Sequence, residues 1–106
     1  MPILYPERKL QACVVTCRVV QKDGYTPAPF AKISIYTIVH FLWWDIPIFK
    51  TSAVANFYGK ATFTLDKNTR YEFRIAWTGA DGKMRSWKEP LKTTICPWTM
   101  TLNAPW

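Results

Sequence analysis

Alternation of apolar and polar residues runs through most of this chain and constrains its fold more than any other feature. In ACVVTCRVV every second residue from Cys13 to Val19 is apolar, while Thr16 and Arg18 fall on the other side. The stretches AKISIYT, GKATFTL, RYEFRIAWT and TTICPWTMTLN alternate in the same way. Because successive side chains of a β-strand point to opposite faces, each stretch predicts a half-buried strand. No window shows an apolar stripe at helical spacing, so the sequence predicts an all-β protein.

Turn-forming residues separate these stretches. Asp23-Gly24 with Pro27, the DKNT segment, and Asp81-Gly82 are typical of turns and hairpins. Six or seven short strands result, and a half-buried sheet needs a second apolar face to cover it. We therefore predict a two-sheet antiparallel β-sandwich, immunoglobulin-like or prealbumin-like. A chain of 106 residues makes one domain, 1–106, with short proline-containing tails at 1–9 and 103–106.

The charge of the chain is strongly positive but dispersed. Fourteen Lys and Arg stand against seven Asp and Glu, which gives a net charge of +7. Apart from Arg8-Lys9 the basic residues are scattered singly, whereas nucleic-acid footprints are usually clustered, so we predict a solvated basic surface. The start MPILYPERKL lacks the apolar segment of a secretory signal, which predicts synthesis in the cytosol. No apolar run approaches the roughly 20 residues of a membrane span, so no transmembrane segment is predicted.

Residues that carry enzyme chemistry are few. His40 is the only histidine, and no adjacent Ser, Cys or carboxylate pair completes a catalytic set. We therefore predict no enzyme activity and no cofactor. Three cysteines and one histidine are enough in number for zinc, but Cys13 and Cys17 lie about 13 Å apart on one strand, which excludes a shared metal. No metal site is predicted.

The three cysteines leave two interpretations open. The separation of Cys13 from Cys17 forbids a bridge between them, whereas either can meet Cys96 if the last strand packs beside or opposite the first. One interpretation is that all three are buried thiols that act as small hydrophobic residues. The other is a single disulfide, for which Cys17 and Cys96 are the candidate pair.

The order of elements resembles the prealbumin-like sandwiches, in particular the carboxypeptidase regulatory-like (transthyretin-like) domains. The stretch VVTCRVVQKDGYTPAPFAKISIY is similar to their first strand, Gly-x-Pro loop and second strand, with Gly24, Pro27 and Ile33 at matching places. The stretch TSAVANFYGKATFTLDKNTRYEFRI is similar to the strands that follow. The matching residues there are Thr51, Gly59, Phe63, Leu65, Tyr71 and Phe73. The resemblance covers roughly Val14 to Ile75 and implies a structural, adhesive or stabilising module rather than an enzyme.

One stretch does not fit a simple sandwich strand. IVHFLWWDIPIFK, from Ile38 to Lys50, has nine apolar residues and a proline among thirteen. A strand over Ile38 to Trp44 has two apolar faces, but a sandwich strand has one inner face. Pro47 indicates an edge strand or a loop. Three alternatives remain for the second face: the tails MPILYP or LNAPW fold back over it, another subunit covers it, or it contacts a ligand or a membrane surface.

Exposed aromatic and apolar residues of this kind are typical of interface cores. The predicted interface comprises Ile38, Val39, Phe41, Leu42, Trp43, Trp44, Ile46, Ile48 and Phe49. This predicts a non-enzymatic structural or protein-protein interaction module, and a subunit of a larger assembly such as a virus or phage particle.

Two other functions compete with this prediction. Because Trp77 and Trp98 fall on inward registers, they are predicted to be core residues. The alternative function is carbohydrate binding, with Trp43, Trp44 and Trp87 as a stacking platform. The third is single-stranded nucleic-acid binding by aromatic and basic side chains.

Overall fold

A computed structural model describes residues 12–95 and 97–106, and eight β-strands make up this part of the chain. They are β1 (Ala12–Val20), β2 (Lys32–Phe41), β3 (Trp44–Val54), β4 (Lys60–Asp66), β5 (Arg70–Thr78), β6 (Met84–Lys88), β7 (Lys92–Thr93) and β8 (Trp98–Asn103). The predicted two-sheet sandwich is confirmed. A three-stranded sheet of order β4-β1-β8 packs on a five-stranded sheet of order β3-β2-β5-β6, in which β7 also pairs with β5. The described residues form no helix able to cross a membrane.

The core lies between the two sheets and follows the alternation of the sequence. Each strand places every second residue inward, because strand side chains alternate between faces. The three-stranded sheet contributes Val15, Cys17, Val19, Ala61, Phe63, Leu65, Met100 and Leu102, and the other sheet contributes Ile33, Ile35, Tyr71, Phe73 and Ile75. Trp77 and Trp98 are half-buried against this cluster, so their inward placement is confirmed.

One strand pair departs from the predicted antiparallel arrangement. β1 pairs antiparallel with β4 but parallel with β8, so that Val15 lies opposite Trp98 and Val20 opposite Asn103. Parallel neighbours need a long connection, and here the whole of the other sheet lies between them in the chain. Alternation is the same in both kinds of pair, so the sequence pattern carried no information about this direction.

The structure decides between the two interpretations of Cys17. This residue is a free, fully buried thiol, whereas Cys13 is disulfide-bonded. The candidate pair of Cys17 with Cys96 is therefore wrong, and so is the interpretation of all three cysteines as free thiols. Cys96 lies outside the described residues. The parallel register explains the correction, because the chain approaching β8 passes the start of β1, where the Sγ of Cys13 lies 3.0 Å from the carbonyl oxygen of Ile95.

Burial also changes the acid chemistry of Cys17. Desolvation in the core raises the pKa of this thiol from 9.0 to about 12. Between these pH values the unfolded chain loses a proton that the folded chain retains. The free energy of unfolding is therefore expected to fall by about 1.4 kcal/mol for each pH unit above 9 on account of Cys17.

A Cys17→Ala variant tests this linkage. Urea unfolding of both proteins at a series of pH values from 8 upward gives two curves of stability against pH, and other ionisable groups contribute equally to both. We expect the wild-type curve to fall more steeply above pH 9. Parallel curves over the whole range would show that the thiol ionises equally well in the folded protein.

Candidate interaction surface

The ends of β2 and β3 extend beyond the rest of the sandwich as a two-stranded arm, residues 38–49. β2 pairs with β5 only from Lys32 to Thr37, but it pairs with β3 as far as Phe41 and Trp44. In the described chain no third strand pairs with the arm. All nine residues of the predicted interface lie in this arm, so the structure brings them together on one projection.

The arm closes in a turn at Leu42 and Trp43, where the sequence predicted the interior of a single strand. Phe41 pairs with Trp44 across this two-residue turn, and Leu42 has a positive φ of 55°. Two-residue hairpin turns normally carry Asn or Gly at such positions, and this turn has neither. The predicted strand from Ile38 to Trp44 is therefore wrong, and Trp43, 83% exposed, lies at the tip of a hairpin.

One face of the arm continues the inner face of the five-stranded sheet. Ile33 and Ile35 of β2 point into the core, and residues paired across an antiparallel ladder share a face. This core-side face consists of Thr37, Val39, Phe41, Trp44, Ile46 and Ile48. Its large side chains are exposed, and no described residue covers them.

The opposing sheet ends at the base of the arm. β4, an edge strand of that sheet, ends at Asp66, whose Oδ2 lies 3.7 Å from the Nζ of Lys50. Lys50 is also where the pairing of β2 with β3 shifts by one residue, because Ile35 faces Thr51 and Tyr36 faces Phe49. The core-side face therefore begins where the covering sheet ends.

The outer face of the arm is occupied by contacts within the arm and its neighbours. The rings of Tyr36 and Phe49 meet edge to face with centroids 5.7 Å apart, and the guanidinium of Arg74 lies 4.1 Å from the Tyr36 ring centroid. Nearer the tip, the Nδ1 of His40 lies 2.8 Å from the Oδ1 of Asp45. The prediction that both faces are apolar is thus corrected, since this face is mixed and its polar groups are paired.

Pro47 limits the way in which the arm can meet another chain. The prediction of an edge strand is confirmed, because β3 is the outermost strand of its sheet. Pro47 lies opposite Ile38 and has no N–H, so it can occupy the ladder only with its nitrogen toward the open edge. The edge thereby lacks a donor near the middle of the arm, which hinders the addition of a further strand. A partner can still pack on the core-side face.

The C-terminal tail does not cover the arm. It leaves β8 at the other end of the sandwich, where the N–H of Ala104 donates to the carbonyl of Val20 over 2.9 Å. Trp106 then packs edge to face on Trp87, with ring centroids 5.1 Å apart. LNAPW is therefore excluded as the cover for the arm, and MPILYP lies outside the described residues.

The predicted carbohydrate platform is not assembled. Trp87 lies level with Ile33 through the pairing of β6, β5 and β2, which places it about 26 Å from Phe41 along the strand direction. Trp43 and Trp44 are neighbours, but their rings are inclined by 83° and offer no common flat surface. Trp87 is half-buried and its Nε1–H donates to Glu89 over 2.8 Å.

A second exposed aromatic group, which the sequence analysis missed, lies at the end of the sandwich opposite the arm. We call Phe30, Phe57 and Tyr58 the distal cluster. Phe30 precedes β2, and the other two lie in the loop between β3 and β4. Ring centroids are 6.3 Å apart for Phe30 and Phe57 and 5.6 Å apart for Phe57 and Tyr58. The sequence does contain a signal for this cluster. In ANFYG two adjacent aromatic residues occupy a turn, where polar residues are usual.

The backbone holds the distal cluster in place. Phe30 has a φ of 61°, which is rare for a bulky side chain, and its N–H donates to the carbonyl of Asn56 over 3.2 Å. The Oδ1 of Asn56 accepts from the N–H groups of Tyr58 and Lys60 over 2.8 and 3.0 Å. The two aromatic segments are thus tied to one asparagine.

The described residues contain no group of three or more His, Cys, Asp or Glu placed to hold a metal ion. His40, the only histidine, lies on the exposed arm and is hydrogen-bonded to Asp45.

Comparison with known proteins adds evidence for the fold alone. No family model and no curated protein sequence matches this chain. Among solved structures it is similar to a 9R-lipoxygenase from Cyanothece PCC8801, with a TM-score of 0.56 and 11% sequence identity. The match covers 91% of this chain but 17% of the lipoxygenase chain. At this identity the likeness extends to the arrangement of strands, and the activity belongs to the larger protein.

Proposed function

We propose that this protein is a non-enzymatic interaction module and that the core-side face of the arm is its contact with another protein. One observation carries the proposal: the inner face of the large sheet continues past the sheet that covers it. Val39, Phe41, Trp44, Ile46 and Ile48 are exposed there in the described chain.

The chemistry of the arm supports a protein contact. Interface cores are rich in aromatic residues and poor in charge. Within residues 38–49 the ionisable side chains are those of His40 and Asp45, which pair with each other, although the whole chain carries a net charge of +7. Large contiguous apolar patches are unusual on proteins that act alone.

The geometry of the arm supports a role in an assembly. A two-stranded hairpin is marginally stable in water without further packing, and burying each large apolar side chain contributes about 1.5–3 kcal/mol. The contacts on the outer face and the ladder to β3 hold the arm in an extended form before any partner binds. We therefore propose that the protein is a subunit of a larger protein assembly, of which a virus or phage particle is one kind.

Site-specific photo-crosslinking tests this function. A photoreactive phenylalanine analogue replaces Trp44 on the core-side face in one variant and His40 on the outer face in the control. Each variant is irradiated both as the purified protein and in an extract of the source cells. We expect a discrete protein adduct from position 44 and little from position 40. Equal labelling, or none at position 44, would contradict a protein contact on this face.

A further inference from the structure

We propose that the partner of the arm is a second copy of this chain, bound head to tail. The core-side face of the arm of one copy packs on the distal cluster of the next. This inference rests on the proposed function of the arm as a protein contact, and it names the partner and the surface that the partner offers.

The two apolar surfaces lie at opposite ends of one molecule. Phe30 of the distal cluster precedes β2 and Phe41 of the arm ends it, and the ten residues of β2 span about 30 Å at 3.3 Å per residue. β3 connects the same two ends, since it runs from the arm to the loop that holds Phe57 and Tyr58. The molecule measures 62 × 33 × 17 Å, so its own arm cannot reach its own distal cluster.

The two surfaces match in chemical character. The three rings of the distal cluster are between 62% and 65% exposed, and the core-side face presents Phe41 and Trp44 beside three aliphatic side chains. Aromatic rings prefer edge-to-face contacts with other rings, which both surfaces can supply. Contact between the two surfaces therefore removes apolar groups of both from water.

Charge also favours contact between unlike ends. Residues 38–49 contain one carboxylate, that of Asp45, and no Lys or Arg, so the arm has a formal charge of −1 with His40 neutral. Lys32 and Lys60 flank the distal cluster, both are exposed, and neither joins an ion pair within the described chain. A head-to-tail contact places the tip of the arm, which carries Asp45 on its outer face, near these lysines. A contact between two arms would bring two such tips together with no basic residue of the arm to offset their charge.

The area available suits a reversible contact. Large aromatic side chains bury 150–250 Å² each, so the two surfaces together can bury on the order of 1,000 Å². That is near the lower limit for a specific interface, and it predicts association that depends on protein concentration. Because the contact joins unlike surfaces, each bound pair keeps a free arm and a free distal cluster, and growth continues into a ring or a filament.

Two variants and their mixture test the inference. Trp44→Lys disables the arm and Phe57→Lys disables the distal cluster, both at exposed positions, with folding checked by circular dichroism. Met84→Lys, at an exposed position on β6, is the matched control. Sedimentation over a concentration series is expected to give masses above a dimer for the wild type and this control. Each disabled variant alone is expected to remain a monomer, with affinity at least tenfold weaker.

The mixture of the two disabled variants is the decisive sample. The intact arm of Phe57→Lys fits the intact cluster of Trp44→Lys, so an equimolar mixture is expected to form a dimer and nothing larger. If Phe57→Lys alone formed a dimer and the mixture showed no further association, the contact would be between two arms. That result overturns this inference and leaves the proposed function standing. A monomeric wild type overturns this inference as well.

If the wild type is a monomer, two further measurements distinguish the other candidate partners of the arm. Binding to vesicles of equal parts phosphatidylcholine and phosphatidylserine, lost in Trp44→Lys, would make the arm a membrane contact and overturn the proposed function too. A protein adduct from position 44 in the source extract, without self-association, would replace the second copy by a different protein and retain the function.

Discussion

Replacing Gly59 with alanine is expected to destabilise the fold by about 3 kcal/mol or more. A Cβ at this position would lie 2.4 Å from the carbonyl oxygen of Val19 and 3.3 Å from the nitrogen of Ala28, and the φ of Gly59 is 77°. Both neighbours are backbone atoms that hydrogen-bond to each other over 2.9 Å, and Val19 also donates to the carbonyl of Gly59 over 2.7 Å. The clash therefore cannot be relieved without breaking the link between β1 and the loop that holds the distal cluster.

Gly82→Ala is the matched control for this prediction. Gly82 also has a positive φ, 79°, but a Cβ there meets no atom within 4 Å. Its substitution isolates the conformational strain of about 1 kcal/mol from the steric clash. Chemical denaturation of both variants measures the difference. Equal losses of stability would show that the backbone around Gly59 can move aside.

Replacing Phe73 with alanine is expected to lower the free energy of unfolding by about 3–5 kcal/mol. Phe73 is 0% exposed and lies between the sheets, paired across the ladder with Ile35. Removal of its ring takes away contacts with both sheets and leaves a cavity that close-packed neighbours fill only in part.

Phe41→Ala makes the same chemical change on the arm, where Phe41 is 53% exposed. We expect a loss within about 1 kcal/mol when the protein is studied at concentrations too low for association. Urea unfolding monitored by circular dichroism gives both values. Comparable losses at Phe41 and Phe73 would mean that the arm is packed within its own fold, which contradicts an exposed contact face.

The core was predictable from the sequence, because burial in a sheet follows a period of two residues. Val15, Phe63 and Phe73 were assigned inward by alternation, and all three are buried. Pro47 marked the edge strand for a similarly local reason, since a proline cannot donate to a ladder on both sides. Membership of the prealbumin-like sandwiches stays a prediction.

Other features escaped because nothing local encodes them. The turn at Leu42 and Trp43 lacks the Asn or Gly that usually marks a hairpin, so the arm was read as one strand. The parallel pairing of β1 with β8 is a relation between distant strands, and it determines that Cys17 is free. The distal cluster assembles from two loops, and its rings meet only when the sandwich closes.

The pairing of the first strand with the last also determines when the sandwich can close during synthesis. The arm is a local hairpin, and hairpins form within microseconds once their residues are available. β8 is completed about 50 residues after β3, which at 5–20 residues per second takes several seconds on the ribosome. Throughout that interval the three-stranded sheet lacks its third strand, while all residues of the arm have been synthesised. Neighbouring nascent chains on one messenger RNA therefore expose the apolar residues of the arm to one another before their sandwiches close.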